Sequence, residues 1–440
     1  ALTYLLKQYN QKQSNSWQID LFEAKPRAGG VIQSERLSGY LCEAGPNGFL
    51  DNEPTTLQLI HLLNLQSRLT PASSKSRSRF IVKNKRLIAV PMGPLPFLES
   101  SLLPPWSKLR LFFEPWIPSK KKGQEESIES FACRRLGREV ARWILDPVVA
   151  GIYAGDIKKL SMPASFPKIA QMEEDYGSVV RGLIASRKKT PKQEPPRLHT
   201  FLEGMQELPR RLEAELSTEI HCAEPVEHCH WNAQEVILKT THRRESYDLV
   251  VFAVPSYVAS SLLGSQFPEI ATILAQIRYA PIFTLCHGYP NHASALCRQG
   301  FGQLNPTREN LHSLGTLWSS SIFPSQAPDG FFLLRTLFGG DRPGALFQYP
   351  EGLKLGLKET QKLLRIQTPP DFSREYRIEK AIAQYEVGHL QKLKKLTEWE
   401  KQVPRIFFTG SAYRGVSINS CIKDAFEIAQ KIQQQFLLNP

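Results

Sequence analysis

Trp17 to Phe22 alternates apolar and polar side chains and ends on Glu23, after which the chain runs Ala24-Lys25-Pro26-Arg27-Ala28-Gly29-Gly30. Ahead of it, Leu2, Leu5, Leu6 and Tyr9 recur at helical spacing, so a helix feeds this strand through the polar stretch Asn10 to Ser16. A helix, a strand and an acid at the strand's end make up the second half of a nucleotide-binding βαβ unit, in which one carboxylate accepts from two vicinal ribose hydroxyls. The first strand of such a unit, and the Gly-rich turn that cradles a pyrophosphate at the helix N-terminus, are not in the sequence, which starts at Ala1. That start carries no reading of a targeting segment. Two adjacent glycines after Arg27 let the backbone approach a phosphate while the guanidinium neutralises it.

The far end of the chain answers this opening. Arg405 to Thr409 reads as a short apolar strand, the turn Gly410 to Ser417 follows, and an amphipathic helix runs to about Phe436. A strand, a glycine turn and a helix N-terminus present backbone N–H groups to an anion or to a flavin's carbonyl edge. The two ends are therefore expected to form one discontinuous domain.

With 440 residues the chain is expected to hold two to four domains. No apolar run is long enough to span a bilayer. The net charge of +13 is concentrated: Lys75, Arg77, Arg79, Lys83, Lys85, Arg86, Lys108, Arg110, Lys120, Lys121 and Lys122 face only Glu99 and Glu114 in the same window. Large apolar groups (Phe97, Trp106, Phe112, Phe113, Trp116) alternate with these cations, broken by prolines, and a second basic stretch follows at Arg187, Lys188, Lys189, Lys192 and Arg197. Rings beside cations, in segments too short to span, suit a peripheral contact with an anionic membrane surface; a helical subdomain with a solvated basic rim is the plainer alternative. No nucleic-acid motif accompanies the charge.

The seven cysteines form no CxxC pair, and their odd number argues for a reducing compartment. His221, Cys222, His228, Cys229 and His230 fit no standard metal spacing, so no metal is expected.

Several segments together resemble one family. They are Phe22 to Asn52, Ser78 to Pro91, Asp146 to Pro163 (DPVVAGIYAGDIKKLSMP), Gly300 to Pro306 with Leu314 to Pro324, and Gln384 to Leu393 with the closing FFTGSAYRGVSINSCI. The stretch E-x-x-x-R-x-G-G is similar to the flavin signature of amine-oxidase-like flavoproteins, and GIYAGD followed by LSMP narrows the resemblance to oxygen-dependent, FAD-containing protoporphyrinogen oxidases. Thr200 to Gln206 resembles the family's segment before the adenine-binding strand, with Glu203 where a second glycine is usual.

The resemblance implies an α/β (α+β) fold in three parts. These are a discontinuous Rossmann-like FAD-binding domain (1–70, 198–260 and 380–440), a mixed-sheet substrate domain (71–95 and 261–379) and a helical membrane-associating domain (96–197). It implies that Glu23 holds the ribose, that Arg27, Gly29 and Gly30 serve the pyrophosphate and flavin side, and that Val226 meets the adenine. Gly45, Pro46 and Asn47 then lie near the flavin's reactive edge, and Gly410, Val416 and Ile418 line the flavin end. Arg79 becomes the partner of a substrate propionate, Gly155 a carbonyl acceptor for pyrrole N–H groups, and Leu304, Leu317 and Leu337 the walls of the tetrapyrrole. Relatives often carry Phe at the third of these positions, where Leu337 has Phe338 beside it.

The implied reaction is the six-electron oxidation of protoporphyrinogen IX to protoporphyrin IX, with dioxygen as acceptor and hydrogen peroxide as by-product, in tetrapyrrole biosynthesis. No side chain is expected as catalytic acid or base, because the flavin carries the hard step. The competing readings are a coproporphyrinogen III oxidase, whose substrate has two more carboxylates; a general flavin amine oxidase; and a non-catalytic flavoprotein. The expected setting is cytoplasmic, peripheral on the inner membrane surface if the source is bacterial, with a homodimer among the assemblies open to the chain.

Overall fold

In the computed structural model, residues 1–13, 17–120, 123–189, 195–342 and 348–438 are described. Lys121, Lys122 and Lys192 of the basic stretches lie outside them.

The opening helix spans Leu2–Gln13 and turns Leu5 and Leu6 onto Ile428, Ala429 and Ile432 of the closing helix, Ile418–Leu438. The two ends of the chain thus share one core. Sequence alternation extends the first strand back to Trp17, but strand pairing covers only Leu21–Glu23, parallel to Ile220–Cys222. The preceding residues are held otherwise: the Asn10 amide brackets Trp17 from both sides (2.9 and 3.2 Å), and the Asp20 carboxylate takes His221 and Tyr247 (2.9 and 3.1 Å). A second parallel pair joins Val250–Phe252 to Ile406–Phe408, and Val226–Trp231, Val236–Thr240 and Arg244–Tyr247 form an antiparallel meander.

A wider mixed sheet occupies the middle of the chain. Among the described residues its strand order is Phe372–Ala383, Tyr279–Pro290, Phe331–Gly339, Ser313–Leu317, Gly302–Leu304, Arg79–Lys83 and Arg86–Ala89. All neighbours are antiparallel except Gly302–Leu304 beside Arg79–Lys83. One face of this sheet is closed by a buried polar and aromatic layer in which His287 bonds Thr336 and Tyr289, and Trp318 donates to Gln303 (2.8 Å). Helix Asp146–Tyr153 crosses the other face, where its Ala150 and the following Ala154 pack with Ala280, Ile282, Leu314 and Leu337.

The described residues between 94 and 189 are mainly helical. A wholly buried ion pair, Arg135 with Glu114, holds this region together, and Glu114 also accepts from the N–H groups of Val179 and Val180 (3.1 and 3.2 Å) at the start of helix Val179–Lys189. Each buried charge is met by its opposite and by main-chain groups, as burial requires. The outer surface is different. Leu95, Trp106, Phe112 and Trp116 are each about two-thirds exposed or more (71, 70, 68 and 67%), and Phe112, Phe113 and Trp116 form one ring cluster. No helix among the described residues is long and apolar enough to cross a membrane.

Candidate flavin and substrate site

Glu23 ends its strand with a carboxylate oxygen on the Lys25 N–H (2.8 Å), and its carbonyl accepts from the Glu224 N–H (3.0 Å). That contact carries the chain directly over Glu23 to Val226, so the two residues expected at ribose and adenine share one corner. Arg27 is wrapped by its own turn: it donates to the carbonyls of Ala28, Gly30 and Ile32 and to Gln33. Its charge stays over the glycines, and among the described residues no carboxylate pairs with it. Gly29 is required sterically, since φ is +96° and a Cβ would stand 2.7 Å from Pro209 Cβ, whereas Gly30 has nothing within 4 Å of a Cβ.

The next segment is locked to residues 203–206. Ser34 and Gln206 exchange main-chain to side-chain bonds (3.0 Å each), the Met205 N–H donates to Glu43 (2.8 Å), and Ser34 Oγ donates to the same carboxylate (2.7 Å). Burial pushes the Glu43 acid up to about 7, against these two hydrogen bonds and the charge of Arg335. Glu203 points outward to Arg36 (2.9 Å), and Gly204 takes the left-handed turn (φ +85°), so the missing second glycine leaves the turn intact.

Beyond Gly45 and Pro46, both amide atoms of Asn47 are buried and no group among the described residues bonds them. A side chain with an unmet donor and an unmet acceptor suits the edge of a flavin, which offers both. At the chain's other end Gly410 (φ +113°) has open space on its Cβ side out to 4.0 Å, and Thr409, Gly410 and Arg414 are tied to Asp424. Val416 and Ile418 stand at the entry to the closing helix, capped by the hydrogen bond from the Ser420 N–H to Ser417 Oγ (3.1 Å). These residues fit FAD: an acid for a ribose, an arginine held over a glycine turn, and an unsatisfied amide.

Register gathers the expected substrate residues onto one face of the wide sheet. Directly paired residues point to the same side. Leu337 pairs with Gly315 and Gly315 with Leu304, which makes one row; Arg335 pairs with Leu317, Leu317 with Gly302 and Gly302 with Arg79, which makes the next. The three leucines are half-buried. Leu304 meets Gly151 of the crossing helix, where a Cβ would fall 2.8 Å from its Cδ2. Gly155, just past that helix, is closed in by Gln384 and Leu160. Arg79 is exposed and stacks over Phe301 (4.9 Å).

Two features of the site are absent from the sequence reading. Arg335 donates Nη2–H to the carbonyls of Ala44 (3.3 Å) and Gly45, joining the leucine face to the loop that carries Asn47. Its signal is a single charge in the apolar run Phe331 to Phe338. Tyr385 bridges the flavin-end turn, donating to the Ser411 carbonyl (2.6 Å) and accepting from the Gly415 N–H (2.8 Å).

The pattern of the flavin containing amine oxidoreductase family matches residues 4–433. The chain is 31% identical to protoporphyrinogen oxidase 1, chloroplastic, of Arabidopsis thaliana, over 93% of this chain and 82% of that one. It is 27% identical to the coproporphyrinogen III oxidase of Bacillus subtilis, over 96% and 93%. A crystal structure from Exiguobacterium, provisionally named a protoporphyrinogen oxidase, superposes with a TM-score of 0.83 at 24% identity, covering 99% of this chain and 96% of that one, which speaks to the fold. By a family match over nearly its whole length, and by its identity to these relatives, the chain belongs to the flavin-containing amine oxidoreductases, in the group of the porphyrinogen oxidases.

Proposed function

We propose that the chain oxidises protoporphyrinogen IX to protoporphyrin IX, consuming three dioxygen molecules and releasing three hydrogen peroxide molecules per product. The observation that carries this reading is the shared face: Leu304, Leu317 and Leu337 make an apolar floor, and Arg79 ends the same row as Leu317. An apolar macrocycle with carboxylates on one side meets that floor with its acids toward Arg79. Bound FAD supplies the hydride acceptor and returns its electrons to dioxygen. The chain's own work is orientation: the leucines exclude water from the ring, Arg79 fixes its rotation, and Gly155 turns a carbonyl toward the pyrrole N–H groups. Because hydrogen can migrate around the macrocycle, one pose serves all three oxidations.

Arg335 lies three strand spacings from Arg79, roughly 14 Å; its Nη2 is spent on main-chain carbonyls, and its buried Nε has no partner among the described residues, so it is less free than Arg79 to meet a substrate carboxylate. A second reading, coproporphyrinogen III, draws on Arg342 past the end of the leucine rows. Arg342 bonds the Asn305 carbonyl through Nη1 (2.8 Å), while its buried Nε and Nη2 have no partner among the described residues. Extra carboxylates would find a cation there.

The reading also includes peripheral attachment to an anionic membrane through the rings around Trp106, Phe112 and Trp116. Trp106→Ala with Trp116→Ala should lower cosedimentation with anionic liposomes, and unchanged cosedimentation removes the lipid role. For the substrate, Arg79→Ala should raise KM roughly tenfold, the scale of one charge-assisted hydrogen bond, with flavin content unchanged. Unaltered kinetics would remove Arg79 from the site.

A further inference from the structure

Gln384 follows the long strand Phe372–Ala383 and is 3% exposed. Its amide nitrogen donates to the carbonyls of Tyr153 (2.8 Å) and Ile382 (3.0 Å). With both N–H groups spent, the orientation of the amide is fixed and Oε1 can only accept. That oxygen is buried, and no group among the described residues donates to it. A buried acceptor without a donor is costly, and natural sequences keep few of them away from functional sites.

Its surroundings say what the donor is. A Cβ on Gly155 would fall 2.5 Å from Gln384 Oε1. Gly155 follows the helix whose Gly151 meets Leu304 and whose C-terminal end packs with Leu337. The next residue, Tyr385, holds Ser411 and Gly415 of the flavin-end turn. The free oxygen therefore sits where the covering helix, the end of the leucine sheet and the flavin turn meet.

We propose that Gln384 Oε1, packed against Gly155, accepts a hydrogen bond from the pyrrole N–H groups of the tetrapyrrole substrate. The inference rests on the porphyrinogen reading above. A porphyrinogen directs four N–H donors to its centre and offers no acceptor there, because each nitrogen lone pair belongs to its pyrrole ring. A neutral amide locked by two main-chain carbonyls is a complementary group that needs no charge in a dry site.

The test compares the FAD-loaded wild type with Gln384→Met and Gln384→Glu. Inhibition constants are measured for a tetrapyrrole and its N-methylated form, alongside KM for the porphyrinogen. The wild type should favour the N–H form, and Gln384→Met should lose that preference by roughly tenfold. In Gln384→Glu a protonated carboxyl keeps an O–H for Tyr153 and an oxygen for the substrate, and an ionised one is a stronger acceptor still, so the preference should survive in this variant. A residue that only clamps Tyr153 would weaken both forms alike, and an unchanged preference ratio in Gln384→Met, or one lost in Gln384→Glu as fully as in Gln384→Met, overturns the proposal. If the wild type itself reduces its flavin with no porphyrinogen, the functional reading fails first and separately.

Discussion

The guanidinium of Arg335 hydrogen-bonds the main-chain carbonyl of Gly45 across 290 residues of sequence. Arg335 belongs to the row of Leu317 and Arg79, and Gly45 leads to Asn47, so one side chain ties the leucine face to the loop that carries Asn47. Burial disfavours its charge, and the nearest acid, Glu43, is itself pushed toward neutrality.

Arg335→Met should therefore cost about 2 kcal/mol, the scale of a hydrogen bond to a charged group, and release flavin on gel filtration. Arg335→Lys, which can reach one carbonyl at a time, should fall between. Equal flavin retention in all three proteins would show that the loop holds its place without Arg335.

Gly204 and Gly29 predict a pair of steric failures with a built-in control. A Cβ on Gly204 would stand 2.5 Å from Ser34 Oγ and 2.6 Å from Glu43 Oε1, and φ is +85°. Gly204→Ala and Gly29→Ala should each cost about 3 kcal/mol through strain and a broken contact. Gly30→Ala, with φ +57° and open space, should cost only about 1 kcal/mol. Denaturant midpoints in which Gly30→Ala is the worst of the three contradict this order.

Glu43 gives a pH signature of definite sign. Its folded value is raised to about 7, so between the ordinary carboxylate range and pH 7 the folded state holds a proton that the unfolded state has lost. Stability contributed by this group is present at low pH and declines as pH rises through that window, by about 3 kcal/mol in all. Glu43→Gln should remove this decline. A wild type and variant whose stabilities run parallel from pH 4.5 to 7 would place Glu43 at an ordinary value.

The parts of the site visible in the sequence are those in which local pattern and chemistry coincide. An acid at a strand's end, glycines after an arginine, and a strand, turn and helix at the far end each need only neighbours in sequence. The leucine face was identifiable by resemblance; its geometric cause is register, because Leu337, Gly315 and Leu304 pair across three strands. Arg335 and Gln384 escape such reading for a physical reason. A charge in an apolar strand, or an amide after one, acquires meaning only from a loop or helix end brought to it by the fold. The first strand falls short of its alternation for a similar reason, since Asn10, His221 and Tyr247 engage Trp17 and Asp20 outside any strand pairing.

The most direct measurement of the central claim is anaerobic reduction of the protein-bound flavin by protoporphyrinogen IX and coproporphyrinogen III, each alone. The account predicts that the visible flavin absorbance bleaches with protoporphyrinogen at the faster rate, and that admitting oxygen restores it with release of hydrogen peroxide. An FAD-loaded protein whose absorbance is unchanged by both porphyrinogens would contradict it.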